Sequence, residues 1–171
     1  MEAPARQNGA VGLSQAHVVT ISDGAYQGQR EDKSGPVLVT LLVGAGFEVS
    51  GPEVVPDEME RIFEAVTTAV ARGVDLVVAT GGTGLGPRDV TPQAMSTIFD
   101  YEVPGVGEAM RRAGADTTPM AALSRSMAGV REQTLIISVP GSPKGASESL
   151  EAVMLIVGHA IQLLHGDTSH S

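Results

Sequence analysis

The sequence contains no cysteine and no tryptophan, and aromatic residues make up only 3% of its 171 positions. Without cysteine there is no disulfide, no cysteine-ligated zinc and no thiol nucleophile. Few aromatics mean a core of Val, Leu, Ile, Ala and Met, and no stacking platform for single-stranded nucleic acid. Basic residues are scarce too: 11 Lys and Arg stand against 20 Asp and Glu, a formal charge of −9. Such a chain repels nucleic acid and anionic membrane at long range, so an anionic ligand must be held by local groups. His17, His159, His165 and His170 show no metal-ligand spacing, and His159 reads as packed on an apolar helix. There is no G-x-S-x-G elbow, no Walker A loop and no Rossmann glycine signature. The start, MEAPARQNGAVGLSQ, lacks the apolar run of a signal peptide. The longest apolar stretch, 150–164, reads as too short and too interrupted to span a bilayer. The expectation is a cytoplasmic protein with neither nucleic-acid nor membrane partners.

What is present has a globular balance, 42% hydrophobic and 18% charged. The length suits one domain, expected over 15–166 between tails at 1–14 and 167–171. Apolar runs at 18–21, 47–55, 76–80 and 134–139 read as strands. Between them lie helix patterns. One is capped by Ser34 or Asp32, carries Val37, Leu38, Leu41 and Leu42, and stops at Gly46. A second opens at Asp57 with Glu60 three residues on, as in a capping box. Its apolar stripe is Met59, Ile62, Phe63, Val66 and Val70. A short helix begins at Pro92 under a Thr91 cap, another covers 104–115, and the last covers 146–165. That last helix is apolar on two faces, and the second face calls for a further partner such as another subunit. Continuous apolar strands separated by helices argue for an α/β fold with a mostly parallel sheet covered on both sides. Ligands of such folds bind at the carboxyl ends of strands, which points to the loops after Ile21, Thr80 and Val139.

The loop after Thr80 is Gly81-Gly82-Thr83-Gly84, and successive amides in such a turn form a nest for a phosphate. The loop after Val139 carries Gly141, Ser142, Lys144 and Gly145 at a helix N-terminus, a second anion-type site. Two such loops on one sheet edge suggest a ligand with two phosphates, or two phosphorylated ligands. Asp57 and Asp89 each have a structural reading as helix caps. Both also follow strands on the same rim, and two carboxylates beside a phosphate nest suit Mg²⁺. Asp23 and Asp32 are further acidic candidates. Arg88, Arg125 and Lys144 are the candidate cations.

Thr20-Ile21-Ser22-Asp23, Asp32-Lys33-Ser34-Gly35-Pro36, Val55-Pro56-Asp57-Glu58, Thr80-Gly81-Gly82-Thr83-Gly84, Arg88-Asp89-Val90-Thr91-Pro92, Pro104-Gly105-Val106-Gly107-Glu108, Leu123-Ser124-Arg125 and Pro140-Gly141-Ser142-Pro143-Lys144-Gly145 follow one another in order. Together they resemble the MogA/MoaB family of molybdenum-cofactor biosynthesis, also seen as the G domain of gephyrin. The resemblance implies a three-layer α/β/α sandwich and a homotrimer. It implies molybdopterin adenylyltransferase activity, in which Mg-ATP and molybdopterin give adenylyl-molybdopterin and pyrophosphate, and a MoeA-like molybdate-insertion enzyme as the recipient. By motif, Asp57 and Asp89 match the family's essential acids and metal ligands. Thr20 and Asp32 match nucleotide- or metal-side positions, and Gly81, Gly82, Thr83 and Gly84 the phosphate cradle. Ser124 matches a molybdopterin-side position, and Arg125, Gly141, Ser142 and Lys144 fall in substrate-binding motifs. The short C-terminal region is MoaB-like, so the alternative is a non-catalytic MoaB-like protein that binds molybdopterin or its precursor.

Overall fold

The computed structural model describes residues 12–167. The expected tails, 1–14 and 167–171, fall almost wholly outside these residues. The elements in chain order are β1 (Gln15–Ile21), α1 (Asp23–Tyr26), α2 (Ser34–Gly44), β2 (Glu48–Val55), α3 (Met59–Ala71) and β3 (Leu76–Thr80). Then come α4 (Thr91–Ile98), β4 (Tyr101–Glu102), α5 (Pro104–Ala115), a 3₁₀ turn (Pro119–Leu123), β5 (Ala128–Arg131), β6 (Thr134–Val139) and α6 (Pro143–Leu164). One sheet runs in the order β2-β1-β3-β6-β5-β4. The first four strands are parallel, while β5 and β4 run antiparallel at the far edge.

Alternation along the strands decides which layer each side chain joins. Val18, Leu76, Val78, Leu135 and Ile137 point to one face, where Leu38 and Leu42 of α2, Met110 of α5, and Leu150, Val153 and Val157 of α6 cover them. Val19, Val77, Ala79 and Ile136 point to the other, under Ile62 and Val66 of α3 and Met95 and Ile98 of α4. Both faces of the central strands are therefore sealed, which is why those strands read as unbroken apolar runs. The result is the three-layer sandwich with a mostly parallel sheet.

Several local expectations are corrected. The helix at α3 begins at Met59 with Glu58 at its N-cap and no side-chain cap. There is no capping box, because the Asp57 carboxylate accepts the Asp23 N–H at 2.8 Å instead. Met59 and Phe63 of the expected stripe are exposed, and Ala65 and Ala69 take buried places beside Ile62, Val66 and Val70. Val37 of α2 is likewise exposed, and so is His159 of α6. Thr91 does not cap α4; its hydroxyl donates to the Gly81 carbonyl at 2.8 Å. Helix α6 starts at Pro143, three residues earlier than expected, with Ser142 as its cap accepting from the Gly145 N–H at 3.1 Å. At 22 residues it is long and apolar enough to cross a membrane by length and composition, unlike the 150–164 stretch alone. Its inward face nevertheless packs on the sheet core with α2 and α5.

Candidate functional site

The carboxyl ends of β1, β3 and β6 open onto one rim, and two clefts lie side by side along it. The larger, of about 750 Å³, is lined by Thr20, Asp32, Asp57, Gly81, Gly82 and Asp89, with Arg30, Lys33 and Ser34 among its other walls. The smaller, of about 380 Å³, is lined by Thr83, Gly84 and Ser124, by Arg111 and Glu148, and by apolar Met110, Met120 and Leu123. Gly141 and Ser142 form part of both. The four-residue glycine loop is therefore a divide, with Gly81 and Gly82 facing the polar cleft and Thr83 and Gly84 the apolar one.

The loop's shape follows from its sequence. Gly81 and Gly82 have φ of 106° and 64°, a conformation that side chains with a Cβ rarely adopt. Gly81 also lies against β1: a Cβ there would strike the Ile21 carbonyl. The Gly81 N–H continues the sheet by donating to the Val139 carbonyl at 3.1 Å. Among the described residues, the N–H groups of Gly82, Thr83 and Gly84 donate to no protein acceptor, so the nest begins one residue later than the sequence suggested. Thr80 ties the two anion-type loops together by donating to the Pro140 carbonyl at 2.8 Å.

The carboxylates are held by backbone. Asp57 and Asp23 bond reciprocally, each side chain accepting the other's N–H, at 2.8 and 3.0 Å. Asp23 also takes the Arg88 guanidinium through two bonds, at 2.9 and 3.0 Å. The Arg88 bond first, and then the Asp57 N–H, hold the Asp23 carboxyl below its ordinary value. Asp57 shifts the other way. Burial, aided by the charges of Asp23 and Asp89, pushes its carboxyl up against the pull of the Asp23 N–H and Arg88. Asp89 accepts the Gly86 N–H at 2.8 Å. Asp32 accepts from the buried Thr20 hydroxyl at 2.7 Å and from the Gly35 N–H in the first turn of α2 at 3.0 Å, but the N-cap of that helix is Lys33, not Asp32 or Ser34.

These carboxylates stand in a cradle that only glycine leaves open. A Cβ on Gly82 would come within 3.0 Å of Asp57 Oδ1, and one on Gly84 or Gly86 within 2.8 Å of Asp89 Oδ2. No cluster of three or more His, Asp or Glu side chains able to hold a metal occurs among the described residues. Asp57 and Asp89 line the polar cleft together, and two carboxylates could hold a cation that completes its shell with water and phosphate oxygens, as Mg²⁺ does. Asp57, made hard to ionise by its surroundings, would gain from such a charge.

Two expected binding residues stand elsewhere. Arg125 lines neither cleft; its guanidinium lies behind the glycine loop and donates to the carbonyls of Gly84 and Asp89. Lys144 is largely exposed and pairs across one helical turn with Glu148 at 3.8 Å. Arg88 is engaged by Asp23. The basic side chains that do line the clefts are Arg30, Lys33 and Arg111. Lys33 falls in the quoted Asp32–Pro36 motif, whereas Arg30 and Arg111 carry no mark in the sequence. Arg111 is further tied down by donating to the Ser126 carbonyl at 2.8 Å.

Residues 17–159 match a family described as "Probable molybdopterin binding domain". The chain is 39% identical over 151 residues to a molybdenum cofactor biosynthesis bifunctional protein of Synechococcus elongatus, covering 88% of this chain and 47% of that one. It thus spans about half the length of that relative. It is 39% identical over 153 residues to the molybdopterin adenylyltransferase of Escherichia coli K12, covering 87% of this chain and 77% of the other. Among solved structures it resembles the molybdopterin biosynthesis enzyme MoaB of Thermus thermophilus. The TM-score is 0.85 at 47% identity, over 90% of this chain and 98% of that one.

Proposed function

This chain belongs to the molybdopterin-binding-domain family of molybdenum-cofactor biosynthesis, and from that premise we propose that it is a molybdopterin adenylyltransferase. The observation that carries the reading is the pair of clefts sharing one wall at Gly141 and Ser142. Adenylyl transfer needs two anionic substrates side by side with their phosphates meeting, and a divided rim offers that. The polar cleft, with Thr20, Asp32, Asp57, Gly81, Gly82 and Asp89, suits ATP. The apolar cleft, with Ser124 and Arg111, suits the pterin.

In the reaction a terminal phosphate oxygen of molybdopterin attacks the α-phosphorus of ATP. The bond to the β-phosphate bridging oxygen breaks, and pyrophosphate leaves with that electron pair. The attacking phosphate, with a second pKa near ~6, is mostly ionised at neutral pH, so no general base is required. The obstacle is repulsion between anions, roughly 4 kcal/mol for one pair of charges 4 Å apart at an effective dielectric near 20. The amides of Gly82, Thr83 and Gly84 and the side chains of Arg30, Lys33 and Arg111 oppose it by neutralising and aligning the phosphates. Asp57 and Asp89 would hold a Mg²⁺ ion, which supplies the remaining positive charge. The protein works in the cytoplasm as a homotrimer and hands its product to a MoeA-like molybdate-insertion enzyme.

The test is incubation with Mg-ATP and molybdopterin, followed by mass detection of the adenylylated pterin and assay of pyrophosphate. Equal formation of both is expected. Tight pterin binding with no consumption of ATP would replace the transferase reading with that of a carrier.

A further inference from the structure

We infer that Arg125 is a positioning residue for Asp89, acting through the loop that carries it and not by contact with substrate. The inference rests on the adenylyl-transfer reading. The guanidinium donates to the Gly84 carbonyl from Nε at 3.0 Å and from Nη2 at 2.7 Å. The same Nη2 donates to the Asp89 carbonyl at 2.8 Å, and Nη1 reaches Gln93 Oε1 at 3.4 Å. One side chain thus joins the two ends of the 84–89 loop from behind.

Inside that loop the chain curls onto its own carboxylate. The Gly86 N–H donates to Asp89 Oδ2 at 2.8 Å, and the Asp89 N–H returns to the Gly86 carbonyl at 3.0 Å. Glycines at 84 and 86 leave no side chain between backbone and carboxylate, and a loop of this composition has many conformations open to it. The Arg88 guanidinium ties the segment to Asp23, and Thr91 closes it just outside on the Gly81 and Gly82 carbonyls. Arg125 bonds the carbonyls of both end residues, Gly84 and Asp89, and the fork geometry of a guanidinium lets it hold two carbonyls at once, which an ammonium cannot match. The brace is itself anchored: the Arg125 N–H donates to the Thr83 carbonyl at 2.9 Å. The adjoining Ser126 carbonyl is held by Arg111 at 2.8 Å. The position of Asp89 in the polar cleft is thereby referred to the segment that walls the apolar one.

The test compares the full chain carrying Arg125→Lys or Arg125→Gln with wild type, after thermal melts identify which variants fold. Hydrogen exchange of the Gly86 amide, with no ligand present, is expected to rise at least ~10-fold in the Gln variant. In turnover, kcat is expected to fall ~10–100-fold, and the Mg²⁺ concentration for half-maximal rate to rise ~10-fold, while the molybdopterin KM stays within ~2-fold. The Lys variant, keeping one donor direction, should fall between the two in each readout. Adding Arg125→Gln to Asp89→Asn should cost nothing further, because both act on one group. A raised molybdopterin KM with an unchanged Mg²⁺ requirement would make Arg125 a substrate contact and overturn the inference. So would an unchanged Gly86 exchange rate. Absence of adenylyl transfer in wild type would instead remove the functional reading, and the Gly86 amide would still decide the role of Arg125.

Discussion

Asp57 is held in a state that its surroundings resist. Burial and two neighbouring carboxylates raise its pKa above the ordinary 3.8, so its charged form is destabilised in the fold. The sign follows from linkage: a carboxyl raised in the native state makes stability fall as pH climbs through the window between 3.8 and the native value. Above that window the penalty is complete. Asp57→Asn keeps an oxygen to accept the Asp23 N–H and removes the charge. The variant should therefore melt higher than wild type at pH 7. Solvent reaches the carboxylate, so the gain is at most about 1 kcal/mol, or roughly 2–4 °C for a chain of this size. The advantage should shrink as pH falls towards 4. Calorimetric melts across pH check this, and a lower melting point at pH 7 would show that the charge is not strained. The same variant, like Asp89→Asn, should lose pyrophosphate release, because on the adenylyl-transfer reading the two carboxylates hold the cation. Full turnover by folded Asp89→Asn protein would remove that residue from the proposed metal site.

Helix α6 shows how far an element's pattern carries. Leu150, Val153 and Val157 are fully buried, whereas Leu155 on the opposite side is 95% exposed. Leu150→Ala should cost about 2–5 kcal/mol through lost transfer energy and the cavity left behind, while Leu155→Ala in the monomer should stay within about 0.5 kcal/mol. Urea denaturation distinguishes the two, and equal losses would mean that the outer face is packed as tightly as the inner. The apolar runs that became β3 and β6, and the helix over Pro104–Ala115, were legible because periodicity and a leading proline report local constraints. Strands β4 and β5 were not. Tyr101 and Glu102 are both exposed, and Ala128–Arg131 is too short to show alternation. Where they pair, the Phe99 ring occupies the space a Cβ on Gly129 would need, a contact that no spacing in the sequence reports. On α3 the covered stripe is narrower than spacing predicts, with Met59 and Phe63 exposed. Spacing gives a direction, but the close approach allowed by Ala65 and Ala69 sets which flank is covered. The supposed caps Asp57 and Thr91 failed because their oxygens bond to Asp23 and Gly81, in other segments of the chain. The site shows the same division. Acidic and glycine positions converge on the rim as the strand ends suggested. The role of Arg125 was hidden because its acceptors are backbone carbonyls 36 and 41 residues away, and a carbonyl leaves no trace in the sequence.

At the scale of the whole molecule, charge works against the proposed substrates. The chain carries −9 formally, and the polar cleft itself sets Arg30 and Lys33 against Glu31, Asp32, Asp57 and Asp89. Both substrates are anions, so the field at encounter is repulsive, and attraction begins only at the short range of amides, guanidinium groups and bound cation. Screening should then help. The Debye length falls from about 30 Å at 0.01 M salt to about 10 Å at 0.1 M, which weakens the repulsion while leaving contacts inside the clefts largely intact. With Mg²⁺ kept saturating, kcat/KM for molybdopterin is expected to rise about 2–5-fold over that range, the reverse of an electrostatically steered enzyme. The dependence should lie in KM, with kcat nearly flat, because charges already in contact inside the clefts are screened much less than charges approaching from solution. A steep fall with salt would mean that a basic patch guides the pterin in, and Arg111, which lines the apolar cleft, would be the first residue to neutralise.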